Sequence, residues 1–311
     1  MSTGIFLSYK GLGTNILHLS YCHEIAKAFG PVKIITLSNK FNDVVEDDPL
    51  IEEVICLDKY YKKFSDIINL SKILKKYNFY NFFIFYPSLR LFFAAKFAGI
   101  KNIFTYPLFK KKNLHLVKTA KKFTEECLNI KNCPTETFLK ISENKKKIAE
   151  NYLSKVKKNI IIGAGSSGPT TKWGTSNYIK LIEKLLEKHE CFFFILGGPD
   201  EKKIISEIVD GVGSSNATSL AGKTIKEVVP IIAGVDLYIG NDSFGQHVAS
   251  QSGKPSIVLL LDTPSAYSEY NKNQHQILPE GISTKEITHG SVCDPNKIKV
   301  DTVLNKALLY L

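Results

Sequence analysis

The chain has 311 residues, of which 44% are hydrophobic and 23% charged, and its formal net charge is +11. This length suits two domains of a globular protein, and no apolar run approaches the ~20 residues that a membrane-spanning helix needs. Six cysteines lie scattered without CxxC spacing, and the N-terminus shows no signal-peptide pattern, so we expect a reduced, cytoplasmic protein without a bound metal.

Most of the positive charge lies in the first half of the chain. Residues 1–158 hold 27 Lys and Arg residues against 14 Asp and Glu residues, whereas the remainder is slightly acidic. This excess either belongs to solvated helix faces or forms a surface that approaches an anionic partner, such as a phosphorylated glycan or a membrane. No basic helix with interleaved aromatic residues is present, so we do not expect nucleic acid as the partner.

Short apolar runs alternate with helical patterns through the first half. Strands are predicted at 4–9, 32–38, 53–58 and 82–87. Helices are predicted at 15–29, between the last two of those strands and at 88–98, and a lysine-rich helical pattern over 113–155 is broken at Pro134.

The alternation restarts in the second half. Strands are predicted at 159–165, 191–198, 235–240 and 255–261, and helices at 176–189, 224–233, 244–252 and 297–311. Unbroken apolar strands that alternate with helices indicate parallel sheets covered on both faces. We therefore predict an α/β protein of two doubly wound, Rossmann-like domains, 1–155 and 156–311, that face a cleft, with ligands beyond the carboxyl ends of the strands.

A cluster of polar residues, NDSFGQH at 241–247, directly follows the strand that ends on Gly240. Asp242 or Ser243 occupies the expected N-cap of the next helix, which begins at Phe244. Unpaired amides and the positive end of the helix dipole form an anion site at such a position. Gly245 would let a ligand approach the backbone closely, and His247, one turn into the helix, would point toward a bound phosphate.

A second loop, GAGSSGPTTKW at 163–173, follows the first strand of the same domain. It has neither P-loop nor GxGxxG spacing, but it offers amides, a lysine charge at Lys172, and the hydroxyls of Ser166, Ser167, Thr170 and Thr171. Because both loops lie at one edge of the sheet, they predict a diphosphate site. At a third strand end, GGPDE (197–201), Asp200 or Glu201 would bind ribose hydroxyls.

These motifs resemble those of glycosyltransferase family 9, the ADP-heptose:lipopolysaccharide heptosyltransferases. The resemblance rests on TTKW at 170–173, GGPDE, LAGKT at 220–224, and the 241–247 cluster, in which Phe244 stands where glycine is usual. In the first half, DDPLIEEVICLD at 47–58 is also similar to the family. The resemblance covers nearly the whole chain and is strongest over 163–260.

The resemblance implies the GT-B fold, with a nucleotide-diphosphate sugar on the C-terminal domain and a glycan or glycolipid acceptor on the N-terminal domain. It implies inverting glycosyl transfer without a metal or cofactor, so that Lys172 and backbone amides must stabilise the leaving diphosphate. Asp242 would bind sugar hydroxyls. A lipopolysaccharide-type acceptor would also explain the basic first half, through peripheral contact with the anionic surface of the inner membrane.

One position departs from the family. The loop KGLGTN places Thr14 where the family usually has an Asp that deprotonates the acceptor. A threonine hydroxyl cannot take a proton near neutral pH, and His18, one turn further along the helix, is the first candidate for the base. The alternatives are a weak or inactive protein that binds nucleotide-sugar or glycan, and a sugar-nucleotide epimerase on a similar scaffold.

Overall fold

The fold was analysed in a computed structural model that describes residues 2–59, 61, 63–107, 115–166 and 171–311. The chain forms two compact units, Met1–Thr137 and Phe138–Leu311. Each unit is a parallel sheet with helices packed against it.

In the first unit the strands are β1 (Ser2–Leu7), β2 (Val32–Thr36), β3 (Ile51–Cys56), β4 (Phe79–Ile84) and β5 (Asn102–Thr105). Its helices are α1 (Leu12–Leu17), α2 (Leu19–Phe29), α3 (Asn42–Val45), α4 (Asp66–Lys75), α5 (Leu89–Phe97) and α6 (Leu116–Leu128). The strand order is β3-β2-β1-β4-β5, and all neighbours are parallel. Strand order therefore reverses between β1 and β4.

Most predicted elements of this unit exist, with shifted ends. The strands begin up to three residues earlier than predicted, and the helix expected over 15–29 is two helices, α1 and α2, that meet at His18. Strand β5 was not predicted, because its four residues are only partly buried at the sheet edge and give no clear apolar run.

In the second unit the strands are β6 (Lys158–Gly163), β7 (Cys191–Leu196), β8 (Ala217–Ser219), β9 (Leu237–Asn241), β10 (Ser256–Leu259) and β11 (Gln274–Ile277). Its helices are α7 (Glu143–Glu150), α8 (Thr175–Leu186), α9 (Lys202–Val212), α10 (Ile225–Gly234), α11 (Phe244–Gln251) and α12 (Val300–Ala307). The parallel order is β11-β10-β9-β6-β7-β8.

The second unit confirms the predicted alternation and extends it. Thr224 and Glu227 form the predicted capping box at the start of α10, with the Thr224 amide donating to the Glu227 carboxylate at 2.7 Å. The helix α9 and the edge strands β8 and β11 were not predicted. Strand β11 reads QHQI, so three of its four residues are polar and lack the apolar pattern of a buried strand.

The division between the units falls earlier in the chain than the expected boundary between residues 155 and 156. The structure divides between Thr137 and Phe138. Helix α7 packs against α10, and the Leu139 amide donates to the Gln251 carbonyl at 2.7 Å. The lysine-rich segment around α7 is therefore part of the second unit, although its charge resembles that of the first half.

None of the helices in the part of the chain that the structure describes is long and apolar enough to cross a membrane.

Candidate functional site

The two polar loops of the second unit follow β6 and β9, the neighbouring strands at which strand order reverses. Gly163, the last residue of β6, pairs with Gly240, the last but one of β9, and a Cβ atom on Gly240 would lie 2.5 Å from the Gly163 Cα. Only glycine allows the backbones to pack in this way. Since ligands of doubly wound sheets bind where strand order reverses, this edge is the candidate site.

Asn241 fixes both ends of the loop after β6. Its Nδ2 donates to the Ala164 carbonyl at 2.9 Å, and its Oδ1 accepts from the Trp173 amide at 3.2 Å. Trp173 is buried, and its Nε1 donates to the Ile298 carbonyl at 2.9 Å. Asn241 is itself buried, so its amide holds the loop in place and does not face solvent.

Lys172 reaches into the site from this loop. Its Nζ lies 3.1 Å from the Glu201 Oε1, and its side chain is 26% exposed. A partly exposed ammonium group at this sheet edge is placed to bind an anion. Ser166 and Thr171 flank the loop, whereas the predicted ligands Ser167 and Thr170 lie outside the described residues.

Glu201, and not Asp200, is the carboxylate that the fold builds into the site. Glu201 is buried: its Oε1 accepts from the Ser166 amide at 3.0 Å, and its Oε2 accepts from the Gly198 amide at 2.7 Å. Asp200 is exposed. Glu201 thus joins the loops that follow β6 and β7, and its oxygens are already engaged by protein groups. A ribose role for Asp200 stays a prediction.

Asp242 lies at the end of β9 with a side chain that is 7% exposed. Burial raises its pKa to about 6, and the nearby Asp262 adds to this rise, while hydrogen bonds from Gln246 and Thr263 oppose it. The Gln246 Nε2 donates to the Asp242 Oδ1 at 2.8 Å. The carboxylate is therefore held in one position, and it loses its proton near pH 6 and not near pH 4.

A buried amide network supports Asp242 from behind. The Gln246 Oε1 accepts from the Gln274 Nε2 at 2.6 Å, and the Gln274 Oε1 accepts from the amides of Tyr270 and Asn271 at 3.1 Å each. Gln274, Tyr270 and Asn271 were not predicted. A pairing between distant glutamines leaves no local pattern in the sequence.

His247 is turned into this network. It is buried, its Nδ1 lies 2.9 Å from the Tyr270 hydroxyl, and its Nε2 lies 3.0 Å from the Gln246 Nε2. Because an amide nitrogen only donates, Nε2 accepts, and Nδ1 carries the proton that is donated to Tyr270. His247 thus packs against Asp242, with 3.8 Å between the His247 Nε2 and the Asp242 Oδ1. The predicted contact of His247 with a phosphate stays a prediction.

The first turn of α11 begins as predicted, with Ser243 at the N-cap and Phe244 as the first helical residue. Ser243 makes no side-chain cap bond, because its Oγ lies 3.1 Å from the Tyr238 hydroxyl instead. Gly245 was expected to admit a ligand. However, a Cβ atom there would lie 2.5 Å from the Leu196 Cδ2, so packing of the helix on the sheet already requires this glycine.

Asp262 is a further carboxylate of the site that was not predicted. Its Oδ2 accepts from the Thr171 amide at 2.5 Å. Burial raises its pKa, while the Thr171 amide and the charges of His289 and Lys172 oppose the rise. The same rule that selected the other loops would have found it, because Asp262 directly follows the apolar run SIVLLL at 256–261.

The first unit holds the two candidate base positions, Thr14 and His18. Thr14 is half-buried in α1, and its carbonyl accepts from the His18 Nδ1 at 2.8 Å. The His18 ring is 0% exposed, stacks on Tyr9 with centroids 4.8 Å apart, and has no partner for its Nε2 among the described residues. Burial lowers its pKa to about 4. A weak, enclosed base is poorly suited to deprotonate an acceptor. The buried position of His18 therefore argues against its predicted role as the base, which stays a prediction.

Within the described ranges, no group of three or more His, Cys, Asp or Glu residues could hold a metal ion.

Comparison of the sequence with known proteins gives two results. The family model of glycosyltransferase family 9 (heptosyltransferase) matches residues 94–295. A lipopolysaccharide heptosyltransferase 1 of Campylobacter coli is 28% identical over 163 residues, and the match spans 51% of this chain and 47% of that protein, about half the length of each.

Two solved structures share the fold of both units. A family 9 glycosyl transferase from Veillonella parvula has a TM-score of 0.78 and 19% identity, covering 99% of this chain and 96% of that one. The E. coli ADP-heptose lipopolysaccharide heptosyltransferase II has a TM-score of 0.71 and 16% identity, covering 99% and 100%. The expected GT-B class, with two parallel α/β domains, is thereby confirmed.

Proposed function

This chain belongs to glycosyltransferase family 9, and on that basis we propose that it moves a heptose or related sugar from a nucleotide-diphosphate donor to a lipopolysaccharide-type glycan. The observation that carries the proposal is the placement of Lys172, Asp242 and the start of α11 together where strand order reverses in the second sheet. An ammonium group and a helix N-terminus suit a diphosphate, and the carboxylate suits sugar hydroxyls.

In this proposal the donor diphosphate binds to Lys172 and to the backbone amides at the start of α11. Binding would draw Lys172 away from Glu201, or add a phosphate oxygen to the pair that now lies at 3.1 Å. Charge builds up on the diphosphate as the glycosidic bond breaks, and fixed donors aimed at it lower the barrier. This is how Lys172 contributes to catalysis without a metal ion.

Asp242 accepts hydrogen bonds from the donor sugar and sets its orientation. Its position is fixed by Gln246, and its pKa of about 6 leaves it ionised at neutral pH. An acceptor hydroxyl that attacks the anomeric carbon from the side opposite the diphosphate inverts its configuration. Inversion and independence from metal are both parts of the proposal.

The acceptor is proposed to be a glycan or glycolipid. The basic first half of the chain suits a phosphorylated or membrane-attached glycan, and a lipid-linked acceptor would bring the protein to the inner membrane surface on its cytoplasmic side. Peripheral contact of this kind is electrostatic, and it therefore weakens as salt is raised.

A second candidate is a protein that binds nucleotide-sugar and transfers poorly or not at all. It is favoured by one observation, the combination of Thr14 at the family's usual Asp position with a fully buried His18. If this candidate is correct, donors bind at the second unit but are not consumed.

The two candidates are separated by two measurements on the same purified chain. A thermal-shift screen of ADP-, GDP- and UDP-sugars identifies the donor, and mass spectrometry then follows transfer to a truncated lipopolysaccharide core with and without EDTA. A glycosylated product that forms equally well in EDTA supports the proposal. Donor binding without product or hydrolysis supports the second candidate, and the absence of any binding contradicts both.

A further inference from the structure

Gln274, on β11, has a buried side chain whose amide is fixed in one orientation. Its Oε1 accepts from the backbone amides of Tyr270 and Asn271 at 3.1 Å each. Backbone amides only donate, so the side-chain oxygen must face them and the Nε2 must face away. The orientation of Gln274 is therefore set by the backbone just before β11.

This orientation is passed on to Gln246, on α11. The Gln274 Nε2 donates to the Gln246 Oε1 at 2.6 Å, so the oxygen of the second amide faces β11. The Gln246 Nε2 then lies 2.8 Å from the Asp242 Oδ1 and 3.0 Å from the His247 Nε2. The Tyr267 carbonyl, at 3.1 Å, accepts from the same nitrogen. Two buried amides thus connect backbone donors beside β11 to the carboxylate of the candidate site.

A reversed Gln246 amide would change the chemistry of both neighbours. Its oxygen would face the Asp242 carboxylate, which could stay close only by taking up a proton. The same oxygen would face the His247 Nε2, which would then have to carry the ring proton in place of Nδ1. The orientation of this one amide therefore determines whether Asp242 accepts or donates, and which nitrogen of His247 is protonated.

Asp242 depends on this hydrogen bond because its surroundings favour the protonated form. Burial raises its pKa, the charge of Asp262 adds to the rise, and the hydrogen bond from Gln246, with one from Thr263, opposes it. The other ionisable groups that face Asp242 among the described residues are the His247 ring, with its Nε2 at 3.8 Å, and the hydroxyls of Tyr238 and Tyr267. None of these groups is a permanent cation, so neutral donors such as the Gln246 amide have to keep the carboxylate able to ionise.

We propose that Gln274 is a positioning residue of the candidate site. Acting through Gln246, it keeps Asp242 a hydrogen-bond acceptor for the ligand and holds the His247 proton on Nδ1. The inference deepens the proposed function, on which it rests to the extent that the ligand is the donor sugar. It goes beyond that function because it gives control of Asp242 to a residue of an edge strand that itself touches no ligand.

The test is a pH titration of the full chain by NMR, with isotope-labelled Asp carboxyls and His ring nitrogens. Asp242→Asn identifies the Asp242 carboxyl signal, and His247→Asn identifies the ring signals of His247. The key variants are Gln274→Glu and Gln274→Met. Both remove the donor to Gln246, and the Glu side chain keeps an acceptor for the two backbone amides, which protects the fold.

The matched controls are Gln276→Glu and Gln276→Met, two residues further along the same strand. The Gln276 Nε2 donates to the Ser265 carbonyl at 2.9 Å and to the Ser268 Oγ at 3.1 Å. These variants remove a comparable amide donor, and in one case add the same charge, without changing the contact between Gln274 and Gln246. Thermal unfolding shows which variants fold.

In Gln274→Glu the new carboxylate is ionised at neutral pH, because two backbone amides donate to it, and it cannot donate to Gln246. The Asp242 midpoint should therefore rise by about 0.5–1.5 pH units, and the His247 ring should show the form protonated on Nε2. Gln274→Met should shift both signals in the same direction by a smaller amount, since it adds no charge. The Gln276 variants should move the Asp242 midpoint by less than about 0.2 pH units.

A double variant shows whether Gln274 acts through Gln246. Gln246→Met alone removes the hydrogen bond to Asp242 and should raise the Asp242 midpoint by about 1–2 pH units. Adding Gln274→Met should raise the midpoint no further, because the connecting amide is already gone. A further rise in the double variant would mean that Gln274 acts on Asp242 by another route, and would overturn the inference.

Three other results would also overturn it: an unchanged Asp242 midpoint in the folded Gln274 variants, an equal shift in the Gln276 controls, or loss of the fold in both Gln274 variants, which would make the role of Gln274 structural. A His247 proton that stays on Nδ1 in both Gln274 variants would overturn the part that concerns His247. None of these measurements needs a nucleotide-sugar. A shifted Asp242 midpoint in a protein that binds no nucleotide-sugar would therefore leave Gln274 assigned and the proposed function refuted.

Discussion

The Lys172 Nζ lies 3.1 Å from the Glu201 Oε1, and the same carboxylate accepts the backbone amides of Ser166 and Gly198. One buried side chain therefore holds both the cation and two loops of the candidate donor site. The candidate donor site is thus organised by protein groups alone, which is what an electrostatically stabilised leaving group would require.

Replacing Lys172 by Ala should weaken donor binding by about 10- to 100-fold, because a charge-assisted hydrogen bond contributes about 1.5–3 kcal/mol. Titration calorimetry with the donor found by the nucleotide-sugar screen measures this change. Lys180→Ala is the control, since it removes an equal charge from an exposed position on α8. Donor affinity within twofold of the wild type in Lys172→Ala would refute a phosphate contact.

Glu201→Gln should destabilise the second unit, whereas Asp200→Asn should not. An amide side chain can accept through one oxygen only, so at least one of the Ser166 and Gly198 amides loses its partner, at a cost of about 1–3 kcal/mol. Asp200 is exposed and serves as the matched control. Urea unfolding followed by circular dichroism gives the free energies. Equal stability of Glu201→Gln and wild type would show that the carboxylate is not needed to hold the loops.

Asp242 should make both stability and donor binding depend on pH, with opposite signs. Burial raises its pKa from 3.8 to about 6, so the folded state holds a proton that the unfolded state has released, and stability falls as pH rises from about 4 to about 6. The contribution is on the order of 2–3 kcal/mol. Donor affinity should instead rise through about pH 6, because the ionised carboxylate accepts hydrogen bonds from the sugar.

Asp242→Asn separates these two effects. Asn retains an oxygen for Gln246 but does not ionise, so the variant should match the wild type near pH 4 and be the more stable protein near pH 8. Its donor affinity should be low and flat across this range. Urea unfolding and donor titrations at both ends of the range provide the data. A pH profile of stability that is identical in variant and wild type would mean that Asp242 is not the titrating group.

Thr14→Asp should raise the transfer rate if position 14 is a vacated base site, because general-base assistance is typically worth roughly 10²- to 10⁴-fold. Thr14→Asn is the control, since the Asn side chain has nearly the same shape as Asp but no basic carboxylate. Initial rates with saturating donor and acceptor give the comparison. If the wild type, Thr14→Asp and Thr14→Asn are all active at the same rate, the base lies elsewhere in the protein, or another group of the acceptor takes the proton from its hydroxyl.

His18→Ala should lower stability and leave turnover per folded molecule nearly unchanged. The ring is fully buried against Tyr9, and truncating such a side chain costs about 2–4 kcal/mol through the cavity it leaves. Thermal unfolding and rates on the folded fraction separate the two effects. A rate that falls by roughly 10²-fold or more in folded protein, with loss of a pH limb, would instead identify His18 as the base.

The sequence by itself determined the two parallel α/β domains and the two loops of the candidate donor site. Apolar runs, helical spacing and the capping box of Thr224 and Glu227 act over a few residues, so their pattern can be seen without the fold. The rule that ligands bind at strand ends then selected Lys172 and the 241–247 cluster, because parallel strands all end at one edge.

Only the tertiary structure decided what each polar side chain does there. Glu201 is buried while its neighbour Asp200 is exposed, Gln246 finds Gln274, and Gly245 serves helix packing. His18 is enclosed by the aromatic rings of Tyr9 and Phe85. Burial and pairing depend on which strands become neighbours and which loops meet above them, and those contacts join residues far apart in the chain. Local periodicity carries no information about them, so the charge, exposure and partners of a site residue are set only when the sheet assembles.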